Sequence, residues 1–364
     1  MALVRYLMPI DSRELLVKSS RVKGCNHLVF NGLALVFVIY VHDHACAQVE
    51  SDDSNIPVFT DAQFKSASPN SAFDKVLRFG SASYKFTRPY AQHEAIISTI
   101  CIFARVLVEN PQVFKWSVLF KAFPGLIAVM LAYAYYNGIN QIYDVDIDRL
   151  NKPYLPIPAG ELSLQQAWFL MIFDVLVGLL ILRLMNADLI TTSLYCLGLI
   201  LGTFYSTPPF RFKESSVATV IVIPLITGII QNIGVFYAAT ASLGLPFWSP
   251  SIVFITTFVT VFFVPISLIK DLTDVEGDLK HNIWTFTVTY GHKNIVAVST
   301  GILLLNYIGA IAAAIYMPQA FKLNLMLPAH SLPATWLLIQ EACADFFQFL
   351  WKLLGLEFLL FPFM

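Results

Sequence analysis

The chain has 364 residues, of which 57% are apolar and only 13% charged, against roughly 25% charged in soluble domains. That excludes an ordinary water-soluble globule, and a net charge of −1 leaves no electrostatic footprint for a nucleic-acid partner. The five cysteines, Cys25, Cys46, Cys101, Cys196 and Cys343, are scattered without metal or disulfide spacing and read as small apolar packing residues.

Residues 1–84 read as a presequence or targeting region, disordered or cleaved. Its one apolar run, His27 to Val41, is shorter than the about 20 residues a span needs. Ala45-Cys46-Ala47 follows that run and resembles a small-residue cleavage site. Residues 85–364 read as one membrane domain. Nine helices are predicted, near 91–108, 118–143, 164–185, 188–207, 216–239, 250–270, 293–316, 323–340 and 345–363. Every backbone amide in lipid needs an internal partner, so the expected fold is an all-α polytopic bundle embedded in the lipid bilayer, not a barrel. Pro124, Pro224 and Pro265 fall inside predicted helices, where neighbouring helices can take up the freed carbonyls.

Charge collects at particular helix ends. The second predicted helix runs into Asn137-Gly138-Ile139-Asn140-Gln141-Ile142-Tyr143-Asp144-Val145-Asp146-Ile147-Asp148-Arg149-Leu150-Asn151-Lys152. The fourth runs into Tyr205-Ser206-Thr207-Pro208-Pro209-Phe210-Arg211-Phe212-Lys213, and the sixth into Lys270-Asp271-Leu272-Thr273-Asp274-Val275-Glu276-Gly277-Asp278-Leu279-Lys280. Consecutive spans alternate direction, so these three ends share one membrane face, together with Arg88-Pro89 ahead of the first helix.

Spacing then groups the carboxylates. Asn140, Asp144 and Asp148 recur every fourth residue, and Asp271, Asp274 and Asp278 follow i, i+3, i+7; each set stacks on one face of a helix. Asp146 points away from the first set. Stacked carboxylates at a membrane edge need a neutralising cation, and hard oxygen ligands suit Mg²⁺ shared with phosphate oxygens. Two such clusters on facing helices would hold a diphosphate between them. Arg149, Lys152, Arg211, Lys213, Lys270 and Lys280 are candidates to contact its oxygens. Asp144, Asp148, Asp274 and Asp278 are the expected catalytic core. Asn137, Gln141, Tyr143, Tyr205 and Asn232 are candidates for the pocket beside the clusters. His93, His281 and His330 are assigned to packing or interface positions.

Asn140-Gln141-x-x-Asp144-x-x-x-Asp148 and Lys270-Asp271-x-x-Asp274-x-x-Gly277-Asp278 resemble the paired motifs of the UbiA superfamily of intramembrane prenyltransferases, in the plant aromatic branch with homogentisate, flavonoid and coumarin prenyltransferases. The resemblance covers roughly residues 85–364. It implies nine transmembrane helices around a central cavity, Mg²⁺ dependence, a plastid membrane, and metal ligation by Asn140, Asp144, Asp148, Asp271, Asp274 and Asp278. The sequence departs from the branch after Arg88-Pro89, at Tyr90-Ala91-Gln92-His93, and at Trp284 and Thr289 beyond the second motif.

The expected reaction is dissociative alkyl transfer from an allylic prenyl diphosphate to a ring carbon of a phenolic acceptor: a coumarin, a flavonoid or a related phenol. The alternative within the family is homogentisate prenyl or phytyl transfer in tocopherol or plastoquinone biosynthesis. A transporter with acidic ion sites is the rival outside it, and would place its acids near mid-bilayer on broken helices. A soluble all-α prenyl-chain synthase also pairs aspartate motifs, and the hydropathy argues against it.

Overall fold

A computed structural model describes residues 72–270, 272, 284–340 and 346–364, and among these every regular element is helical. The chain divides into a large unit, Asp61–Val106 with Lys115–Met364, and a small one, Met1–Thr60 with Leu107–Phe114. Only residues 107–114 of the small unit are described; they hold a helix end and the 3-10 turn Pro111–Val113.

In chain order the helices are α1 (Ala72–Thr87), α2 (His93–Glu109), α3 (Trp116–Tyr143), the short α4 (Val145–Asn151), α5 (Leu164–Leu184), α6 (Leu189–Ser206) and α7 (Ser216–Ser242). There follow α8 (Pro250–Ile269), the short α9 (Phe286–Tyr290), α10 (His292–Tyr316), α11 (Leu323–Gln340) and α12 (Phe346–Leu360). Among the described residues seven helices are long and apolar enough to cross a bilayer: α3, α5, α6, α7, α8, α10, and α12 with the 3-10 turn after it. With α2 and the apolar stretch Leu323–Ile339 of α11, each of the nine predicted helices has its counterpart. Phe169, Leu176, Ile221 and Leu305 are exposed along these helices, an arrangement suited to lipid. The protein is an integral membrane protein.

Local chemistry sets the helix boundaries. Ser163 and Gln166 form a reciprocal capping box at the start of α5. Asp188 accepts from the Thr191 amide at 2.8 Å to open α6, and Ser215 accepts from Ala218 at 3.3 Å to open α7. Inside α7, Pro224 lacks an N–H and crowds the preceding turn, and the helix widens there to a π turn over Pro224–Ile230.

Two features depart from the sequence reading. The first is α1, which crosses the expected boundary at residue 84. It packs Ala82 and Phe86 into a buried cluster with Ile139, Ile157, Leu162, Ala167 and Met171. Gly138 makes that fit possible: a Cβ there would stand 2.9 Å from the Phe86 ring and closer still to the Met171 sulfur. The second is a break at Asp144 (φ −107°, ψ 10°), which separates α3 from α4 where one helical face was expected. Aspartate is a poor helix-interior residue, and this carboxylate is drawn towards cations on another segment. The i to i−4 amide ladder nevertheless continues through Asp144, Asp148 and Lys152, at 3.0, 2.7 and 2.8 Å.

His330 is fully buried, with Nδ1 at 2.6 Å from the Met326 carbonyl and Nε2 at 3.1 Å from Glu357 Oε1, among the rings of Phe254, Phe258 and Tyr307. It is the satisfied packing residue the sequence suggested.

Candidate functional site: a cation-framed carboxylate pair

The last turns of α3 carry Asn137, Asn140, Gln141 and Asp144, and α4 carries Asp148. Asp144 is gripped on both oxygens. Lys213 Nζ donates to Oδ2 at 2.6 Å and Arg211 Nη2 to Oδ1 at 3.3 Å. Both cations come from the segment after α6. That segment has a left-handed backbone at Arg211 (φ 40°). Arg211 Nη1 also meets Glu214 at 2.8 Å, whereas its Nε is buried without a hydrogen-bond partner. Burial lowers the Lys213 ammonium from the usual lysine range, against the pull of the Asp144 charge and hydrogen bond.

Asp148 is 5% exposed, and Lys152 lies 4.0 Å from its Oδ1. Burial is the largest influence on its carboxyl and pushes the pKa up. Lys152 opposes that rise, Asp144 adds to it, and Arg88 and Lys213 oppose it as well, leaving a net upward shift. These influences place two carboxylates and three cations within one electrostatic neighbourhood.

Arg88 was not among the candidates. It follows α1 with a left-handed backbone (φ 49°, ψ 63°) and is fixed by its neighbours. Gln141 Nε2 donates to the Phe86 carbonyl at 2.8 Å, and Asn137 Nδ2 and Gln92 Nε2 donate to the Thr87 carbonyl at 3.2 and 2.9 Å. Left-handed non-glycine backbone is costly and collects at functional sites; here two arginines of the cluster adopt it. Its signal in the sequence was Arg-Pro ahead of the first span on the face that parity assigns to the motifs.

The other candidates fall as follows. Arg149 pairs with Asp146 at 2.9 Å on an exposed face, with Asp146 turned away as expected. Asn140 is half-buried on α3, and its carbonyl accepts the Asp144 amide. Tyr143 is exposed and sets its ring edge-on to Trp168. Tyr205 is half-buried on α6. Asn232 is buried, and its amide closes on the Gly228 carbonyl of its own helix at 2.7 Å. Lys270 closes α8, its amide donating to Ile266 at 3.1 Å. Asp271, Asp274, Asp278 and Lys280 lie outside the described residues.

A polar chain inside the bundle was also not foreseen. Tyr133 donates to Gln231 Oε1, and Gln231 Nε2 donates to Ser98 Oγ at 2.6 Å, linking α3, α7 and α2. Its members are single residues in apolar runs, which no spacing rule picks out.

The donor chemistry of Asn140, Asp144 and Asp148 suits a hard divalent cation, which takes one or two carboxylates and completes its shell with water and phosphate oxygens. The unpartnered Arg211 Nε and the surrounding bases suit the phosphate. The residues present therefore fit Mg²⁺ bound together with a diphosphate.

Comparison with known proteins bears on the family and the fold. The model of the UbiA prenyltransferase family matches residues 97–353. The chain is 45% identical over 291 residues to the probable chloroplastic homogentisate phytyltransferase 2 of Oryza sativa subsp. japonica, covering 77% of this chain and 76% of the relative. It is 41% identical over 305 residues to the 2-acylphloroglucinol 4-prenyltransferase of Humulus lupulus, covering 80% and 73%. The fold matches a UbiA homolog from Archaeoglobus fulgidus bound to GPP and Mg²⁺ with a TM-score of 0.53 at 19% identity, covering 78% of this chain and 98% of that one.

Proposed function

Since the chain belongs to the UbiA prenyltransferase family, we propose that it transfers a prenyl group from an allylic prenyl diphosphate to a ring carbon of a phenolic acceptor, with Mg²⁺, in a plastid membrane. The observation that carries this reading is the double grip of Lys213 and Arg211 on Asp144 beside the buried Asp148. A transporter's ion site would leave its carboxylates open to the ion along a path. Here they are framed by fixed cations at a helix end, an arrangement that suits a polyanionic ligand sharing a metal with the carboxylates.

Asn140, Asp144 and Asp148, with Asp271, Asp274 and Asp278, would hold Mg²⁺. Bound there, the ion would supply charge neutralisation on the departing diphosphate. Arg88, Lys152, Arg211, Lys213, Lys270 and Lys280 would donate to the phosphate oxygens, and their charges would favour the allylic C–O bond breaking heterolytically. The apolar helices exclude water that would otherwise capture the allylic cation, and faces such as those of Tyr133, Tyr135 and Tyr136 can stabilise positive charge next to them. The electron-rich acceptor carbon then forms the new C–C bond, and its ring proton passes to the released diphosphate, which restores aromaticity.

For the acceptor, we propose a polyhydroxylated ring. The relatives are named for homogentisate and for acylphloroglucinol, both electron-rich in the way this chemistry needs. A coumarin or flavonoid phenol meets the same requirement, and homogentisate is the second reading. The test is the membrane-reconstituted protein offered dimethylallyl, geranyl and phytyl diphosphates against a panel of these phenols, with Asp144→Ala and Asp274→Ala beside it. Turnover that needs a divalent metal and disappears in both variants supports the scheme; near-normal turnover in either variant sinks it.

A further inference from the structure

We infer that Glu94 accepts a hydrogen bond from a hydroxyl of the phenolic acceptor and so holds the ring beside the diphosphate site; the inference deepens the proposed reaction and rests on it. Glu94 stands in the first turn of α2. Its Oε2 is shut off from solvent and has no hydrogen-bond partner among the described residues. Glu94, Ser98 and Cys101, at i, i+4 and i+7, share one face of α2. Ser98 shows which way that face looks. Its Oγ accepts from Gln231 Nε2 of α7 at 2.6 Å, and Gln231 Oε1 accepts from the Tyr133 hydroxyl of α3. Tyr133 and Cys101 are both within electrostatic reach of the Glu94 carboxyl. The acid therefore looks into the bundle, towards α3 and α7, and not out to lipid. Glu94 and Tyr133 keep some accessible surface although protein surrounds them, as side chains that line an internal space do.

The same face of α3 leads to the carboxylate site. Tyr133, Asn137, Asn140 and Asp144 follow i, i+4, i+7 and i+11, so Tyr133 sits about 10 Å along the helix from Asn140. That interval has room for the reacting prenyl carbon and one aromatic ring. What belongs beside Glu94 follows from what it lacks. An acid inside a membrane bundle is costly without a partner and marks a functional site. A prenyl chain has no polar hydrogen to offer it, whereas a phenol hydroxyl is a donor. The Tyr133 oxygen, having given its proton to Gln231, likewise has only lone pairs left. Two acceptors in one neighbourhood suit a ring with more than one free hydroxyl. Drawing on a hydroxyl proton also raises electron density at the ortho and para ring carbons, from which the new bond is made. Gln231 follows directly on the π turn of α7, a distortion frequent at functional sites.

The test compares wild type, Glu94→Met and Glu94→Gln as the full chain in vesicles, with an acylphloroglucinol as acceptor and its fully O-methylated ether as competitor. Met keeps the length of the side chain without its oxygens; Gln keeps one acceptor oxygen. In Glu94→Met the KM for the phenol should rise about 10-fold or more, as for a lost hydrogen bond to a charged group, with the KM for the prenyl diphosphate unchanged. Glu94→Gln should fall between. The ether has no proton to give, so it should inhibit wild type and Glu94→Met alike. Removal of an unpartnered acid should leave the melting temperature of the unliganded protein level or raised. Wild type that prenylates no phenol overturns the proposed reaction and this inference with it. Wild type that prenylates the phenol, while Glu94→Met leaves its KM unchanged, overturns the assignment of Glu94 alone. So does a lowered melting temperature with both KM values raised, or an ether whose inhibition weakens as far as the phenol's KM rises. A second reading does not depend on the Met variant folding. With Mg²⁺ and pyrophosphate present, the infrared difference spectrum on adding the phenol to wild type should carry a carboxyl band that Glu94→Gln lacks, and identical spectra overturn the assignment.

Discussion

The side-chain amide of Gln141 donates to the carbonyl of Phe86 at 2.8 Å, joining residues 55 apart in the chain, and so fixes the end of α1 next to Arg88, whose charge acts on Asp148. Asn137 and Gln92 secure the next carbonyl. Arg88 thus owes its place to three side-chain amides as well as to its own helix, where its amide donates to the Lys85 carbonyl at 3.1 Å.

Gln141→Leu removes that tie and leaves a buried carbonyl without its partner, at a cost of about 1–3 kcal/mol. The expected result is a lower melting temperature together with a raised KM for the prenyl diphosphate and an unchanged KM for the phenol. A variant that altered both KM values equally would show that Gln141 supports the bundle in general and does not position Arg88.

Lys213 and Arg211 hold different oxygens of Asp144, at 2.6 and 3.3 Å. Lys213→Met deletes the closer of them, leaving the carboxylate under-compensated and a diphosphate short of one donor. Loss of one such preorganised contact typically costs about 10²–10³ in kcat, and that range is expected here. Arg149→Ala, at a side chain that faces outward on Asp146, should lose far less. Steady-state rates with saturating metal compare the two, and an equal loss in both would contradict the assignment.

The long apolar helices were legible because lipid imposes length and apolarity on each segment separately, and neither depends on tertiary context. The acidic motif of α3 and the Arg211–Lys213 segment were legible for a related reason: alternating span direction brings helix ends to one face before any packing is known. The attachment of α1 was not. A helix with apolar residues on two faces and bases on a third has the composition of a polar leader, and only the Phe86 contact at Gly138 and the Gln141 hydrogen bond attach it to the bundle. The break at Asp144 was equally hidden, because i, i+4 spacing predicts one continuous face, whereas cations from a segment 67 residues later draw the carboxylate out of line.

Gly138 allows α1 to rest on α3 at the Phe86 ring. Gly138→Ala should force Phe86 and Met171 apart, at the about 1–3 kcal/mol typical of an overpacked core. The predicted signature is local: hydrogen exchange should rise across residues 79–88 and leave α10 unaffected. Uniform destabilisation across all the spans would count against the tight fit.

Asp188 provides the pH test. It is exposed at the start of α6, and accepts from the Tyr237 hydroxyl at 2.6 Å and the Thr191 amide at 2.8 Å. The Tyr237 hydrogen bond, followed by those from Thr191, favours the charged form and lowers its pKa below the ordinary 3.8. A carboxylate lowered on folding stabilises the folded state fully above its unfolded pKa, and that contribution drains away as the pH falls through the lower folded value. Asp188→Asn keeps a side-chain oxygen for the cap but has no charge to titrate. The stability gap between wild type and this variant should therefore be constant from neutral pH down to about 5 and narrow as the pH falls below the ordinary carboxylate range. Asp188→Ala loses the cap as well, for which about 0.5 kcal/mol at the low, exposed end of the usual range is expected at every pH. Thermal unfolding of the detergent-solubilised protein measures all three, and a wild-type-to-Asn gap that did not narrow at all as the pH fell would mean the Tyr237 and Thr191 contacts do not act through the charge of Asp188.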